Sequence, residues 1–175
     1  MTELFSIGSG NEDLKSFINR LKKWNINCLV DLRSQPYSKY VPHFNHDRLS
    51  NSLKREKIDY LYFGDKLGGR PPEGFEKFRI SPRFSENIDL LLSQVDGKVT
   101  ALMCTEFDIS KCHRRFIVEE IIKKGIDVTV IDKEGNADKY ILDFSPKKSK
   151  PQKAVINSKK QIKLTGFLQG DERNE

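Results

Sequence analysis

Two short segments of this chain combine residue types able to do chemistry. Asp31-Leu32-Arg33-Ser34 sets a carboxylate and a guanidinium two positions apart, on one side of the chain if the segment is extended. Asp31 is suited to act as a general base or to stabilise a developing cation, and Arg33 to grip a phosphate. The plainer alternative is an Asp–Arg pair that only orders the loop after it. The second segment begins at Cys104-Thr105-Glu106 and continues, eight residues after Cys104, with Cys112-His113-Arg114-Arg115. If the latter opens a helix, its free N–H groups and positive dipole end form a natural anion site. A thiol there has a lowered pKa and could serve as a nucleophile. Alternatively, Cys104 and Cys112 are small buried residues, as mid-strand Cys28 is expected to be.

Two loops add flat and cationic groups. Ser34 to Asn45 carries Tyr37, Tyr40 and His43-Phe44-Asn45, aromatic and hydrogen-bonding groups of the kind that hold a nucleobase. Lys66-Leu67-Gly68-Gly69-Arg70-Pro71 sets a flexible backbone between two cations, suited to a phosphate chain. Zinc has His43, His46, Cys104, Cys112 and His113 as ligand types, but their spacing matches no compact zinc pattern. No metal and no cofactor are therefore expected.

Periodicity tells which elements must position these groups. Leu4 to Ile7 reads as a strand ending in the small-residue turn Gly8-Ser9-Gly10-Asn11. Leu14, Phe17, Ile18 and Leu21 recur at helical spacing up to about Trp24. Ile26 to Leu32 is a nearly unbroken apolar run, as a buried parallel strand requires. A helix over Asp47 to Lys57, a strand over Ile58 to Phe63, a glycine- and proline-rich loop over Gly64 to Gly74 and a helix over Phe84 to Val95 follow. Val99 to Cys104 reads as a strand and Ser110 to Lys124 as a helix. Gly125 is its left-handed cap, and Ile126 to Ile131 is the last strand. This alternation predicts an α/β fold, a mostly parallel five-stranded sheet with helices on both faces. Ligands of such sheets bind beyond the carboxyl ends of the strands, which is where Asp31 to Asn45, Phe63 to Pro72 and Cys104 to Arg115 fall.

The 175 residues suit one domain, 1–144, with an appendage. No apolar run approaches the roughly 18–20 residues of a membrane helix, and no secretory leader is evident. Three cysteines, an odd number, point to a reducing, cytoplasmic interior. The net charge of +6 is concentrated in the tail: residues 145–175 hold eight Lys/Arg against three Asp/Glu. A basic tail on a nearly neutral body reads as a tether or an electrostatic arm.

Five ordered motifs resemble the domain-of-unknown-function 488 family. They are Ile7-Gly8-Ser9-Gly10-Asn11, Asp31-Leu32-Arg33-Ser34-Gln35-Pro36, Pro42-His43-Phe44-Asn45, Leu67-Gly68-Gly69-Arg70, and Cys104-Thr105-Glu106 with Cys112-His113-Arg114. Ser9-Gly10 stands where the family commonly has His-Ser. The resemblance spans roughly Leu4 to Ile131 and implies an α/β fold with the motifs clustered, but little about the reaction.

Residues 145–160 contain six lysines and no acidic residue, the composition of a disordered linker. Next comes Gln161-Ile162-Lys163-Leu164-Thr165-Gly166-Phe167-Leu168, and 169–175 is a polar end. This peptide resembles the clamp-interacting motif of proteins that ride on the replication clamp PCNA. One 3₁₀ turn would bring Leu164, Phe167 and Leu168 together as an apolar plug, with Gln161 as anchor. Together these readings lead to the expectation of a clamp-tethered, nucleoid-associated DNA-repair enzyme, first of all a DNA glycosylase acting on a damaged base or uracil. Asp31 or Glu106 would activate water or stabilise an oxocarbenium-like state. His113 or His43 would assist the departing base. Arg33, Ser34, Tyr37, Phe44, Asn45, Lys66, Arg70, Cys112, Arg114 and Arg115 would hold the nucleic acid. The rivals are a metal-dependent nuclease or lyase with Asp31 and Glu106 on the cation, a non-catalytic DNA-binding clamp accessory, and thiolate chemistry through Cys104 or Cys112.

Overall fold

The computed structural model describes residues 2–142. The linker 145–160 and the peptide 161–168 lie outside them. The apolar runs form five parallel strands: β1 Glu3–Gly8, β2 Cys28–Asp31, β3 Asp59–Tyr62, β4 Val99–Cys104 and β5 Val128–Ile131. A sixth, β6 Ala137–Lys139, pairs antiparallel with β5. The order across the sheet is β3-β2-β4-β1-β5-β6. The fold is thus α/β with one mostly parallel sheet, as expected, and has one more strand than the pattern predicts. Only three residues long, β6 has no apolar alternation to betray it. A turn folds it back, in which the Asp132 carboxylate accepts the backbone N–H of Asn136 at 2.7 Å and Gly135 takes a φ of +80°.

Alternating side chains feed two cores, one on each face of the sheet. Phe5, Ile7, Leu29, Ala101 and Met103 face α1 Leu14–Lys23 and α2 His46–Arg55, which contribute Phe17, Leu21, Leu49 and Leu53. Leu4, Cys28, Val30 and Leu102 face α5 Pro82–Gln94 and α6 Arg114–Lys123 through Ile88, Leu91, Ile117 and Ile121. Helix α1 starts at Asp13, whose carboxylate accepts the Ser16 N–H at 2.9 Å, and ends in a basic turn that suits the helix dipole.

The loops predicted after β2 and β3 contain short helical pieces. A 3₁₀ turn spans Pro42–Phe44, and the single-turn helices α3 Gly64–Leu67 and α4 Phe75–Phe78 flank the Gly68-Gly69-Arg70 stretch. The segment before α6 differs from expectation. Asp108 caps a 3₁₀ turn at Ile109–Lys111 by accepting the N–H and the hydroxyl of Ser110. The helix therefore starts at Arg114, and Cys112-His113 precedes it instead of forming its first turn.

The chain leaves β2 towards the edge strand β3, while from the neighbouring β4 it crosses over β1 to β5 in the opposite direction. The point where these directions part is where open α/β sheets take their ligands.

Candidate active site

A pocket of about 410 Å³ opens at this point, walled by the segments after β2, after β3 and after β4. From the first come Arg33, Ser34, Gln35 and Tyr37, and from the second Gly69 and Arg70. The third supplies Cys104, Thr105, Glu106, Lys111, Cys112 and His113. The backbone draws these segments together. Arg70 N–H donates to Ser34 Oγ at 3.0 Å, and Gly10 N–H to the Thr105 carbonyl at 2.7 Å. Two glycines permit close approaches. A side chain at Gly8 would run into the Glu106 carbonyl, and one at Gly69 would stand 2.8 Å from His113 Nδ1.

His113 is the pivot of the pocket floor. Its Nε2–H donates to the Leu32 carbonyl at 3.2 Å, so Nδ1 carries the lone pair. That nitrogen faces two sulfurs, Cys104 Sγ at 3.9 Å and Cys112 Sγ at 3.8 Å. Phe75 packs edge-on against the ring with centroids 5.7 Å apart. The two thiols diverge. The bond from Cys104 draws the Cys112 pKa down to about 7, helped by the Arg114 charge and its N–H, while burial opposes the shift. Cys104, donating that bond and buried, is pushed up to about 12.

Arg114 lies beneath this floor with no solvent exposure. Its Nε donates to Ser6 Oγ at 2.7 Å and Nη2 to the Glu106 carbonyl at 3.1 Å. Burial pulls its pKa down, and the neighbouring thiols and Glu106 counter this. Among the described residues it forms no salt bridge to a carboxylate, and its Nη1 is buried without a partner.

Several residues nominated from sequence do not reach the pocket. Asp31 is fully buried. It accepts Arg33 Nε at 2.9 Å, Arg33 Nη2 at 2.6 Å, the Arg33 backbone N–H at 3.0 Å and the Tyr60 hydroxyl at 2.6 Å. With its lone pairs taken and no water able to approach, it cannot act as a base on an external substrate. Burial and the adjacent Asp31 charge in turn raise the Tyr60 pKa. Nor can Asp31 share a cation with Glu106, so the carboxylate pair required by the nuclease reading does not form. Arg33 touches the pocket but is committed to Asp31 and to the Phe44 carbonyl at 2.8 Å.

Phe44 is core, edge-on to Phe17 with centroids 5.2 Å apart. His43 points away to the Glu12 carbonyl at 2.8 Å, and Asn45 Oδ1 accepts the Ser38 N–H at 2.7 Å to order its own loop. Arg115 stacks over Phe116 and pairs with Glu119. Lys66 lines an adjoining groove that shares Ser34 and Arg70 with the pocket.

The pocket retains Glu106, His113, Cys112, Arg33, Ser34, Tyr37 and Arg70 of the nominated set. It adds Lys111, Gln35 and Thr105, to which the sequence pattern assigns no role. The sequence signal for Lys111 is its place as a third cation beside Cys112, with Arg114 and Arg115.

The wall is therefore cationic through Arg70 and Lys111, the Arg33 charge being balanced by Asp31, and it presents one exposed carboxylate, Glu106, and one exposed ring, Tyr37, which is 61% accessible. Such a site can bind an anion, stack a flat group and activate a water. No helix among the described residues is long and apolar enough to cross a membrane.

No curated protein matches the chain. A solution NMR structure of a de novo designed protein with a P-loop NTPase fold is similar at 19% identity and a TM-score of 0.42, over 74% of this chain and 65% of that one. Residues 13–80, which hold three of the five motifs (Asp31 to Pro36, Pro42 to Asn45 and Leu67 to Arg70), match the model of the family described as Domain of unknown function DUF488, and the match supports the resemblance over that stretch.

Proposed function

We propose that this chain is a hydrolase acting on DNA, and that the peptide 161–168 tethers it to the sliding clamp. The observation that carries this reading is the convergence of Arg70 and Lys111 with Glu106 and the exposed Tyr37 ring in one pocket. The two cations suit a phosphate backbone, the ring suits a base turned out of the stack, and the carboxylate suits activation of water. With Asp31 sealed inside the sheet, that last role falls to Glu106 alone. The base–sugar bond is the first candidate for cleavage, because Tyr37 offers the flat surface an extruded base needs. The phosphodiester is the second, favoured by the Cys104, Cys112 and His113 cluster, whose ligand types suit metal-assisted hydrolysis.

The sequence pattern of 161–168 and the lysines before it support delivery to the clamp, where tethering raises the local concentration of substrate. The test is incubation of the full chain with oligonucleotides bearing uracil, oxidised bases, abasic sites or flaps. Release of a base or scission of a strand on one member of the set is expected. No product on any of them contradicts the reading.

A further inference from the structure

We infer that Cys104, Cys112 and His113 bind one zinc ion, leaving its fourth coordination position open to the pocket. The three ligand atoms all lie within 4.8 Å of one another. With Zn–S near 2.3 Å and Zn–N about 2.0–2.1 Å, the edges of a tetrahedral site run about 3.5–3.8 Å. The sulfur-to-nitrogen edge is the shorter of these, about 3.5–3.6 Å, so the two sulfur-to-Nδ1 distances of 3.8 and 3.9 Å need to contract by about 0.3 Å for ligation.

Two features orient the ligands before any ion arrives. The bond from His113 Nε2–H to the Leu32 carbonyl holds the imidazole in the tautomer with Nδ1 free, the outer-shell arrangement typical of metal-ligating histidines. The Arg114 backbone N–H donates to Cys112 Sγ at 3.4 Å, a bond that favours the thiolate. The buried Arg114 guanidinium, which has no carboxylate partner among the described residues, supplies positive charge beside a site that gathers negative charge.

Two sulfurs and one imidazole select a borderline-soft ion over magnesium, calcium or manganese. Three protein ligands that line an open pocket are the arrangement of a catalytic zinc, with water in the fourth position. That water would lose its proton to the carboxylate sharing the pocket, Glu106. Binding of the metal is independent of the substrate. Only its part in hydrolysis rests on the DNA reading.

The test uses the full chain, purified without chelator. Its zinc is measured by mass spectrometry, and the metal-stripped protein is titrated with cobalt(II). Close to one zinc per chain is expected, with cobalt giving thiolate-to-metal absorption and the intense visible bands of a tetrahedral ion. Cys104→Ser and Cys112→Ser should each weaken binding by more than the roughly 10- to 100-fold that loss of an outer-shell partner costs. If a serine variant does not fold, the cobalt spectrum of the wild type still decides the matter. No thiolate bands, zinc content unchanged in both variants, or recovery of the native chain with Cys104 and Cys112 joined as a disulfide would each overturn the inference. A zinc-loaded chain inactive on every oligonucleotide would leave the site standing and refute only the DNA reading.

Discussion

Replacing Asp31 by asparagine separates a structural acid from a catalytic one. The carboxylate is fully buried and accepts from Arg33 and Tyr60 through both oxygens. An amide of the same shape retains one acceptor oxygen and turns an NH₂ group towards donors, leaving the buried Arg33 charge without a counter-ion. Breaking a buried ion pair by removing one partner costs about 3–5 kcal/mol. That is a large part of the ~5–15 kcal/mol that holds a domain together. With a urea slope of about 2 kcal/mol per molar, the unfolding midpoint should fall by roughly 2 M at unchanged slope. Circular dichroism and the fluorescence of Trp24 can both follow the transition. Glu106→Gln, at an exposed position, should stay within about 0.5 kcal/mol of the wild type. An Asp31→Asn protein that unfolds at the wild-type midpoint would refute the assignment of Asp31 to the scaffold.

The remaining predictions concern single contacts. Tyr60→Phe removes one donor to the buried carboxylate and should cost about 1–3 kcal/mol in the same urea assay. Gly69→Ala places a methyl group against His113 Nδ1. It should weaken cobalt binding, read spectroscopically, more than it lowers the thermal midpoint. Arg70→Ala and Lys111→Ala should each weaken oligonucleotide binding whatever the sequence, and each should reduce the slope of log affinity against log salt by about 1 in a fluorescence titration. Phe167→Ala in a peptide covering 155–175 should abolish the heat of binding to the sliding clamp in calorimetry.

The sheet was readable because its strands are buried on both faces and the helices between them are amphipathic. The run Cys28-Leu29-Val30 and the spacing of Phe17, Ile18 and Leu21 follow directly from burial on both faces and on one face, respectively. Strand β6 was not, because its Ala-Asp-Lys sequence is stabilised by the turn after β5 and not by an apolar face. For the site, the segments were identified but the roles of their residues were not. Asp31 and Arg33 read alike as a reactive pair or a structural one, and the outcome depends on Tyr60, which lies 29 positions away and on another strand. His43 and His113 look equivalent in the chain. The 3₁₀ turn at Pro42–Phe44 directs one to a backbone carbonyl outside the pocket, whereas the turn at Ile109–Lys111 sets the other between two sulfurs. The same turn gathers Cys104, Cys112 and His113, whose linear spacing follows no compact metal motif.

Glu106 is proposed to carry the chemistry of the pocket beyond β2 and β4. A single-turnover comparison of wild type and Glu106→Gln, on whichever oligonucleotide the wild type processes, tests it most directly. A rate loss of at least about 100-fold is expected, the lower end of what a positioned acid–base group contributes, with oligonucleotide affinity and urea stability retained. An unchanged rate would contradict it, because no other exposed carboxylate lines the pocket among the described residues.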